Sequence, residues 1–287
     1  MRFLILGNAT KPQVHEAAAR LKDAIPKVGE LVLIDLEQKH DLSNVQADIA
    51  VVLGGDGAIL RAARQMAYHQ IPVLGINLGR LGFLADIAVD EMIGLLPSIA
   101  RGEYRLTQHI MFECRIGLPD GVRTFLGLND VVIRSGPPFH LIDVEVRVNE
   151  MTLSRFLGDG LILSTPIGST AHNLSAGGPI VCQEMSAFVI TPICPHTLTT
   201  RPMVECAEKL FQIQVRQSDG AFLTLDGQEN FPLPTDHLIE VRRASTQFVL
   251  VKLPGKDYYQ TLREKLRWGT TPHYRTELSS PTERKSE

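Results

Sequence analysis

Short apolar runs alternate with amphipathic stretches along the first hundred residues. Phe3 to Leu6, Leu31 to Ile34, Ile49 to Leu53 and Pro72 to Ile76 are brief and predominantly apolar, the pattern of strands buried on both faces. Between the first two, Val14, Ala17, Ala18, Leu21 and Ile25 recur at helical spacing. Thr10 is placed to cap that helix and Pro12 fits its first turn. Ile59, Leu60, Ala63, Met66 and Ala67 repeat the spacing in a helix predicted over Ala58–Tyr68, with Arg61, Arg64 and Gln65 on the opposite side. A further helix runs from about Asp90 to Ala100. Short apolar strands alternating with helices predict an N-terminal α/β domain with a mainly parallel sheet and right-handed crossovers.

Past Arg101-Gly102-Glu103 the period changes from helical to two. Ile142, Val144, Val146 and Val148 alternate with polar residues, as do Phe211, Ile213 and Val215. Half-buried strands of this kind continue to about Leu253 and predict a β-sandwich-like second domain. Tyr258, Leu262 and Leu266 then return to helical spacing within Asp257–Trp268, a helix expected to pack back on the first domain. The expected division is 1–101, 102–255, a returning helix at 256–268, and a polar tail at 269–287.

Composition narrows the function classes. At 287 residues the chain is long enough for two domains, and a formal net charge of -3 gives no electrostatic footprint for nucleic acid. Cys114, Cys182, Cys194 and Cys206 lie far apart, which argues against zinc and against a disulfide framework and suits a reducing compartment. The apolar run within Met1–Gly7 is too short for a signal peptide, and no run has the length of a membrane span. The cytoplasm is the expected location, with no nucleic acid and no membrane as partner.

Candidate chemistry gathers at loops. Gly54-Gly55-Asp56-Gly57 joins the Ile49–Leu53 strand to a helix. The glycines let a ligand approach the backbone, and the helix start offers free N–H groups suited to phosphate. A carboxylate there would repel phosphate unless it takes a proton from an attacking hydroxyl or holds a metal; the plainer reading is a tight turn capped by Asp. Asn77 to Leu84 is a second glycine-bearing loop at a strand end, where ligands of parallel sheets bind. Gly158 through Pro179 is the densest stretch, rich in glycine and small hydroxyl residues around His172. It suits a ligand with ribose hydroxyls, phosphate and a flat base on which His172 could stack. Asn129-Asp130 could read a base and a sugar diol or make an Asx turn, and Asp226-Gly227-Gln228 reads as a hairpin turn. The P-loop, the dinucleotide GxGxxG, the zincin and the serine-hydrolase motifs are all absent.

Taken together, these motifs resemble NAD kinase. The resemblance is carried by Gly54-Gly55-Asp56-Gly57, Gly75 to Leu84, Asn129-Asp130, Asp159 through Pro179, Pro192 to His196 with Arg201-Pro202, Asp226-Gly227-Gln228 and Leu262-Arg263-Glu264-Lys265-Leu266. The Gly-Gly-Asp-Gly alone is shared with lipid kinases and phosphofructokinases; the Asp159–Pro179 stretch is far more specific. The resemblance implies transfer of the ATP γ-phosphoryl group to the adenosine-ribose 2′-hydroxyl of NAD, a divalent cation such as Mg²⁺, and a homodimer or homotetramer. It places Asp56 at the general base, with Gly57 and Arg61 bordering the same pocket. It puts Asn129 and Asp130 at the adenosine moiety, and Asp159, Thr170, Ala171, His172, Asn173, Leu174 and Ser175 on the dinucleotide loop. Gln228 becomes a further NAD contact, and His140 falls where many members carry a basic residue. Three departures stand out: His172 where Tyr is usual, Ile167 for Thr, and Asp130 for Glu. The competing functions are a kinase of another Gly-Gly-Asp-Gly family, acting on a lipid or sugar phosphate, and a non-catalytic NAD-binding regulator.

Overall fold

The computed structural model describes residues 1–79, 82–118, 121–137, 139–217 and 220–267. Arg80 and Leu81 of the second glycine-bearing loop, Pro138, Trp268 and the polar tail from 269 lie outside them.

In the first lobe, β1 (Arg2–Leu6), β2 (Glu30–Asp35), β3 (Ile49–Gly54) and β4 (Val73–Asn77) pair in parallel in the order β2-β1-β3-β4. Every residue of β3 is buried, because helices cover both faces of the sheet. On one face α1 (Pro12–Ala24) and α3 (Val89–Ala100) pack Val14, Leu21, Met92 and Leu96 onto Phe3, Ile5, Val51 and Leu53. On the other, α2 (Asp56–Met66) packs Ile59, Leu60, Ala63 and Met66 onto Leu4, Ala50 and Val52. The helical period thus gave the right inward face for α1 and α2. Two local expectations are corrected. Lys11, not Thr10, is the N-cap of α1 and makes no side-chain cap bond. Thr10 N–H instead donates to Asn8 Oδ1 at 3.0 Å, closing an Asx turn, and the Thr10 hydroxyl donates to the same oxygen at 2.8 Å. Helix α2 begins at Asp56 rather than Ala58, since glycine and aspartate add no apolar signal to its first turn.

The second lobe comprises β5 (Arg105–Leu118), β6 (Gly121–Gly127), β7 (Asp130–Arg134), β8 (Ile142–Val148), β9 (Met151–Gly158) and β10 (Gly160–Ser164), a single turn α4 (His172–Ser175), β11 (Ala187–Ile193), β12 (Met203–Cys206), β13 (Phe211–Gln217), β14 (Phe222–Leu225), β15 (Glu229–Pro232) and β16 (Leu238–Lys252). One antiparallel sheet runs β12-β11-β10-β7-β14-β15. It packs on β5, β8, β13 and β16 through a core that includes Phe112, Ile133, Leu161, Phe188, Phe211 and Val241. Phe188 and Phe211 meet edge to face at 5.4 Å across the two layers, an arrangement worth about 0.5–1.5 kcal/mol beyond area burial.

The two lobes share a sheet. Strand β5 pairs with β16 along its length, from Ile239 to Lys252, while on the other edge the first part of β16 pairs with β13 and Leu250 pairs in parallel with Val73 of β4. A register shift between Arg243 and Gln247 bends the long strand between its two environments. Then α5 (Tyr258–Leu266) turns back onto the first lobe, burying Thr261 and Leu262. No helix among the described residues is long and apolar enough to cross a membrane.

Candidate functional site

The register of β3 and β4 sets Gly54 beside Asn77, so the loops leaving both strands meet at one edge of the sheet. Gly54 has φ +146, and a Cβ there would lie 2.7 Å from Ala58 Cβ. That turn puts Asp56 at the first position of α2, facing the neighbouring loop. Its Oδ1 accepts from Leu84 N–H at 2.9 Å and Ala85 N–H at 3.2 Å, and its Oδ2 from Phe83 N–H at 2.9 Å. A Cβ on Gly82 would come within 2.1 Å of Asp56 Oδ1, so only glycine lets the carboxylate settle there. Lys265 Nζ, from α5, completes the shell at 3.4 Å from Oδ2. The carboxylate is therefore held by four donors, three from one loop and one from α5, yet its side chain stays 28% exposed. The second glycine-bearing loop is not a plain connector but the cradle of Asp56.

A cavity of about 370 Å³ opens in the second lobe, lined by Asn129, Asp130, Arg134, Ala171, His172 and Asp226 among others. The loop at β14–β15 connects it to Asp56. Gly227 lines the cavity, while Gln228 Nε2 donates to the Gly57 carbonyl at 2.9 Å and Gln228 Oε1 accepts from Arg64. Gln228 thus ties the cavity rim to the first turn of α2. Arg61, also on α2, has a buried Nε with no hydrogen-bond partner among the described residues, a donor that an anion would satisfy.

Asp226 does more than close a hairpin. Fully enclosed, it accepts from the N–H groups of Leu128, Asn129 and Asp130 at 2.7–3.2 Å, fixing the Asn129-Asp130 backbone at the cavity wall. Burial pushes its carboxyl up, opposed by those N–H bonds. Burial first and the Asp226 charge second push Asp130 to about 7. His172 moves the other way: burial and then the Arg134 charge lower it, so the ring is neutral at physiological pH.

The remaining expected site residues are dispersed. Asn173 is fully buried; its Nδ2 donates to the Ser169 and Pro179 carbonyls and its Oδ1 accepts from Thr191. Its side chain therefore braces the loop instead of facing the cavity. Thr170 Oγ1 donates to the Ile167 carbonyl. Leu174 is half-buried and Ser175 exposed, and neither lines the cavity. Asp159 is exposed and accepts a hydrogen bond from the Cys194 thiol, while His140 is exposed on the β7–β8 connection. Ile167 is buried in the core beside α2, an apolar place in which a threonine hydroxyl would need its own partner. Arg64, Arg134 and Lys265 were missed as site residues. Arg64 sits on the helix face read as solvent, and a single basic residue in a strand or helix carries no periodic signal.

Comparison with known proteins gives a consistent picture. The family model described as the ATP-NAD kinase N-terminal domain matches residues 5–104, and that of the C-terminal domain matches residues 128–253. The chain is 40% identical to the NAD kinase of Rhodopirellula baltica over 269 residues, covering 93% of this chain and 86% of that protein. It is also 40% identical to the NAD kinase of Heliobacterium modesticaldum over 276 residues, with 91% and 97% coverage. The crystal structure of an NAD kinase from Archaeoglobus fulgidus in complex with ATP superposes with a TM-score of 0.72 at 27% identity, covering 93% of this chain and 99% of that one. Yeast NADH kinase complexed with NADH shares the fold at a TM-score of 0.84 and 24% identity, over 96% of this chain and 90% of that one.

Proposed function

The chain belongs to the NAD kinase family and phosphorylates NAD to NADP, and from that premise we propose that Asp56 is the base of the transfer. The observation that carries this reading is the Asp56 carboxylate, held by three N–H groups at the start of α2 and still partly open to solvent. NADP differs from NAD by a phosphate on the 2′-oxygen of the adenosine ribose, so that hydroxyl is the nucleophile. Its O–H bond breaks and the proton passes to Asp56 Oδ2, while its oxygen bonds to the γ-phosphorus of ATP. The bond from that phosphorus to the β,γ-bridging oxygen breaks, and its electron pair leaves with ADP. Such a transfer needs positioning and charge neutralisation more than covalent help.

The cavity receives the dinucleotide in this reading. Asn129 and Asp130 hold the adenosine end, Ala171 and His172 border a ring, and Gln228 and Gly57 keep the rim against Asp56. Arg61 meets the phosphates with its unpartnered Nε. Asp159, Thr170, Asn173, Leu174, Ser175 and His140 are assigned to loop shape or to the outer part of the dinucleotide. No group of three or more His, Cys, Asp or Glu among the described residues could hold a metal ion. Mg²⁺ is commonly bound by one or two carboxylates and substrate phosphates, so a cation carried by ATP would be held by the phosphates with Asp56 as a carboxylate ligand, and it would neutralise phosphate charge.

The same reading places the enzyme in the cytoplasm, with its functional division near residues 101 and 255, although β5 and β16 run through both lobes. Exposed Met151, Leu153 and Leu157 on β9 and Val204 on β12 support assembly as a homodimer or homotetramer, which light scattering would report as two or four times the chain mass. The functional test is acceptor choice. ATP consumption should require NAD and be absent with diacylglycerol or a sugar phosphate; consumption with either of those acceptors would overturn the assignment.

A further inference from the structure

The last described helix ends against the proposed base. Thr261, Leu262 and Lys265 share one face of α5 by their spacing, and the first two are 6% and 4% exposed. Asp257 caps the helix by accepting from Gln260 N–H at 2.6 Å, and Lys256 pairs with Glu91 of α3 at 3.1 Å. The helix is thus fixed at its start and along its packed face, and its final turn carries Lys265 to Asp56. There the ammonium lies 3.4 Å from Asp56 Oδ2 and 4.2 Å from the centre of the Phe83 ring. Phe83 holds both partners, its N–H bonded to the carboxylate and its ring face under the ammonium. The lysine side chain is nevertheless 32% exposed, so its charge remains accessible to a ligand entering beside Asp56.

We propose that Lys265 is a catalytic residue that neutralises the γ-phosphoryl group during transfer. This rests on the reading of Asp56 as base. Oδ2 has two in-plane lone pairs; Phe83 N–H engages one and Lys265 the other. A 2′-hydroxyl cannot give its proton to Oδ2 while the ammonium holds that position. The charge of an incoming polyphosphate supplies the exchange: Lys265 turns from the carboxylate to the γ-phosphoryl oxygens, and the vacated lone pair accepts the hydroxyl. A lysine suits the exchange, being a point charge on a flexible stem that can change partners by rotation. The same contact keeps Asp56 charge-balanced before substrate arrives and stores a cation within a side-chain rotation of the place where charge is spread in the transition state.

The test is steady-state kinetics of NADP formation by Lys265→Met and Lys265→Arg, with Asp56→Asn measured alongside and thermal unfolding recorded for each. The expected result is a loss of about 10²-fold or more in kcat for Lys265→Met, with KM for NAD within about threefold of wild type. KM for ATP should rise, Lys265→Arg should recover at least a tenth of wild-type kcat, and thermal unfolding should be unchanged. A kcat for Lys265→Met within about threefold of wild type overturns the proposal. So does a loss that Lys265→Arg fails to recover and that accompanies a lowered Tm, because that is a packing role. If Asp56→Asn abolishes turnover and Lys265→Met does not, the base stands and Lys265 falls. If Asp56→Asn keeps turnover while Lys265→Met loses it with the ATP effect, the base assignment falls and the phosphoryl contact stands.

Discussion

Asp130 and Asp226 are neighbours in space, and each carboxyl is raised by burial. For Asp130, at about 7 against an ordinary 3.8, the folded protein binds the proton more tightly than the unfolded chain. Between about pH 4 and pH 7 the native state therefore carries more protons, and stability falls as pH rises through that window. Asparagine cannot ionise, so Asp130→Asn should raise Tm at pH 8 by about 2–4 °C, the shift that ~1 kcal/mol gives in a protein of this size. The gain should shrink toward pH 5; calorimetry finding an equal change at both pH values would contradict the assignment. His172 is neutral and smaller than the tyrosine usual in the family. Its replacement by tyrosine should tighten NAD binding about two- to tenfold, the worth of a better ring contact, and titration calorimetry showing no change would remove His172 from the ring position. At this scale the sequence was legible where chemistry is concentrated. Asp56 stands between glycines, and Asn129-Asp130 stands at a strand edge. The support from Asp226 was not legible, because a carboxylate that caps three N–H groups about 97 residues away looks like any turn residue.

At the scale of elements, the site is the meeting of four ends: the start of α2, the loop after β4, the β14–β15 turn and the close of α5. Periodicity identified α1 and α2 with their buried faces, since burial of Ile59, Leu60, Ala63 and Met66 is what the spacing encodes. Register was beyond it. Nothing in the separate strands says that Gly54 lies beside Asn77, and that pairing alone brings Phe83, Leu84 and Ala85 to Asp56. The Thr10 cap failed because the cap position falls one residue later, at Lys11, with Thr10 held in the turn that Asn8 closes. Helix α5 gives the element-scale prediction. Leu262 is 4% exposed, so Leu262→Ala should cost about 2–5 kcal/mol in urea unfolding and loosen the turn that presents Lys265. Loss of turnover should accompany it under conditions where the variant remains folded. A variant destabilised by that amount but fully active would show that α5 serves packing alone.

Across the whole molecule, the shared sheet explains why two lobes act as one site. Strand β16 begins in the sandwich and ends beside β4, so the cavity of the second lobe and the carboxylate of the first are joined by continuous hydrogen-bonded structure rather than by a linker. Gln228 closes the gap from the other side through Gly57 and Arg64. The change from helical to alternating period predicts an α/β region followed by a β region, the order the elements show. It could not reveal that β5 and β16 belong to both, because a long strand has the same period in either setting. The claim on which the account turns is that Asp56 accepts the proton. The direct measurement is NADP formation from ATP, Mg²⁺ and NAD by Asp56→Asn, with NAD affinity determined on the same variant. The account predicts retained NAD binding and a fall in kcat of about 10²-fold or more; wild-type turnover from a variant without that carboxylate would contradict it.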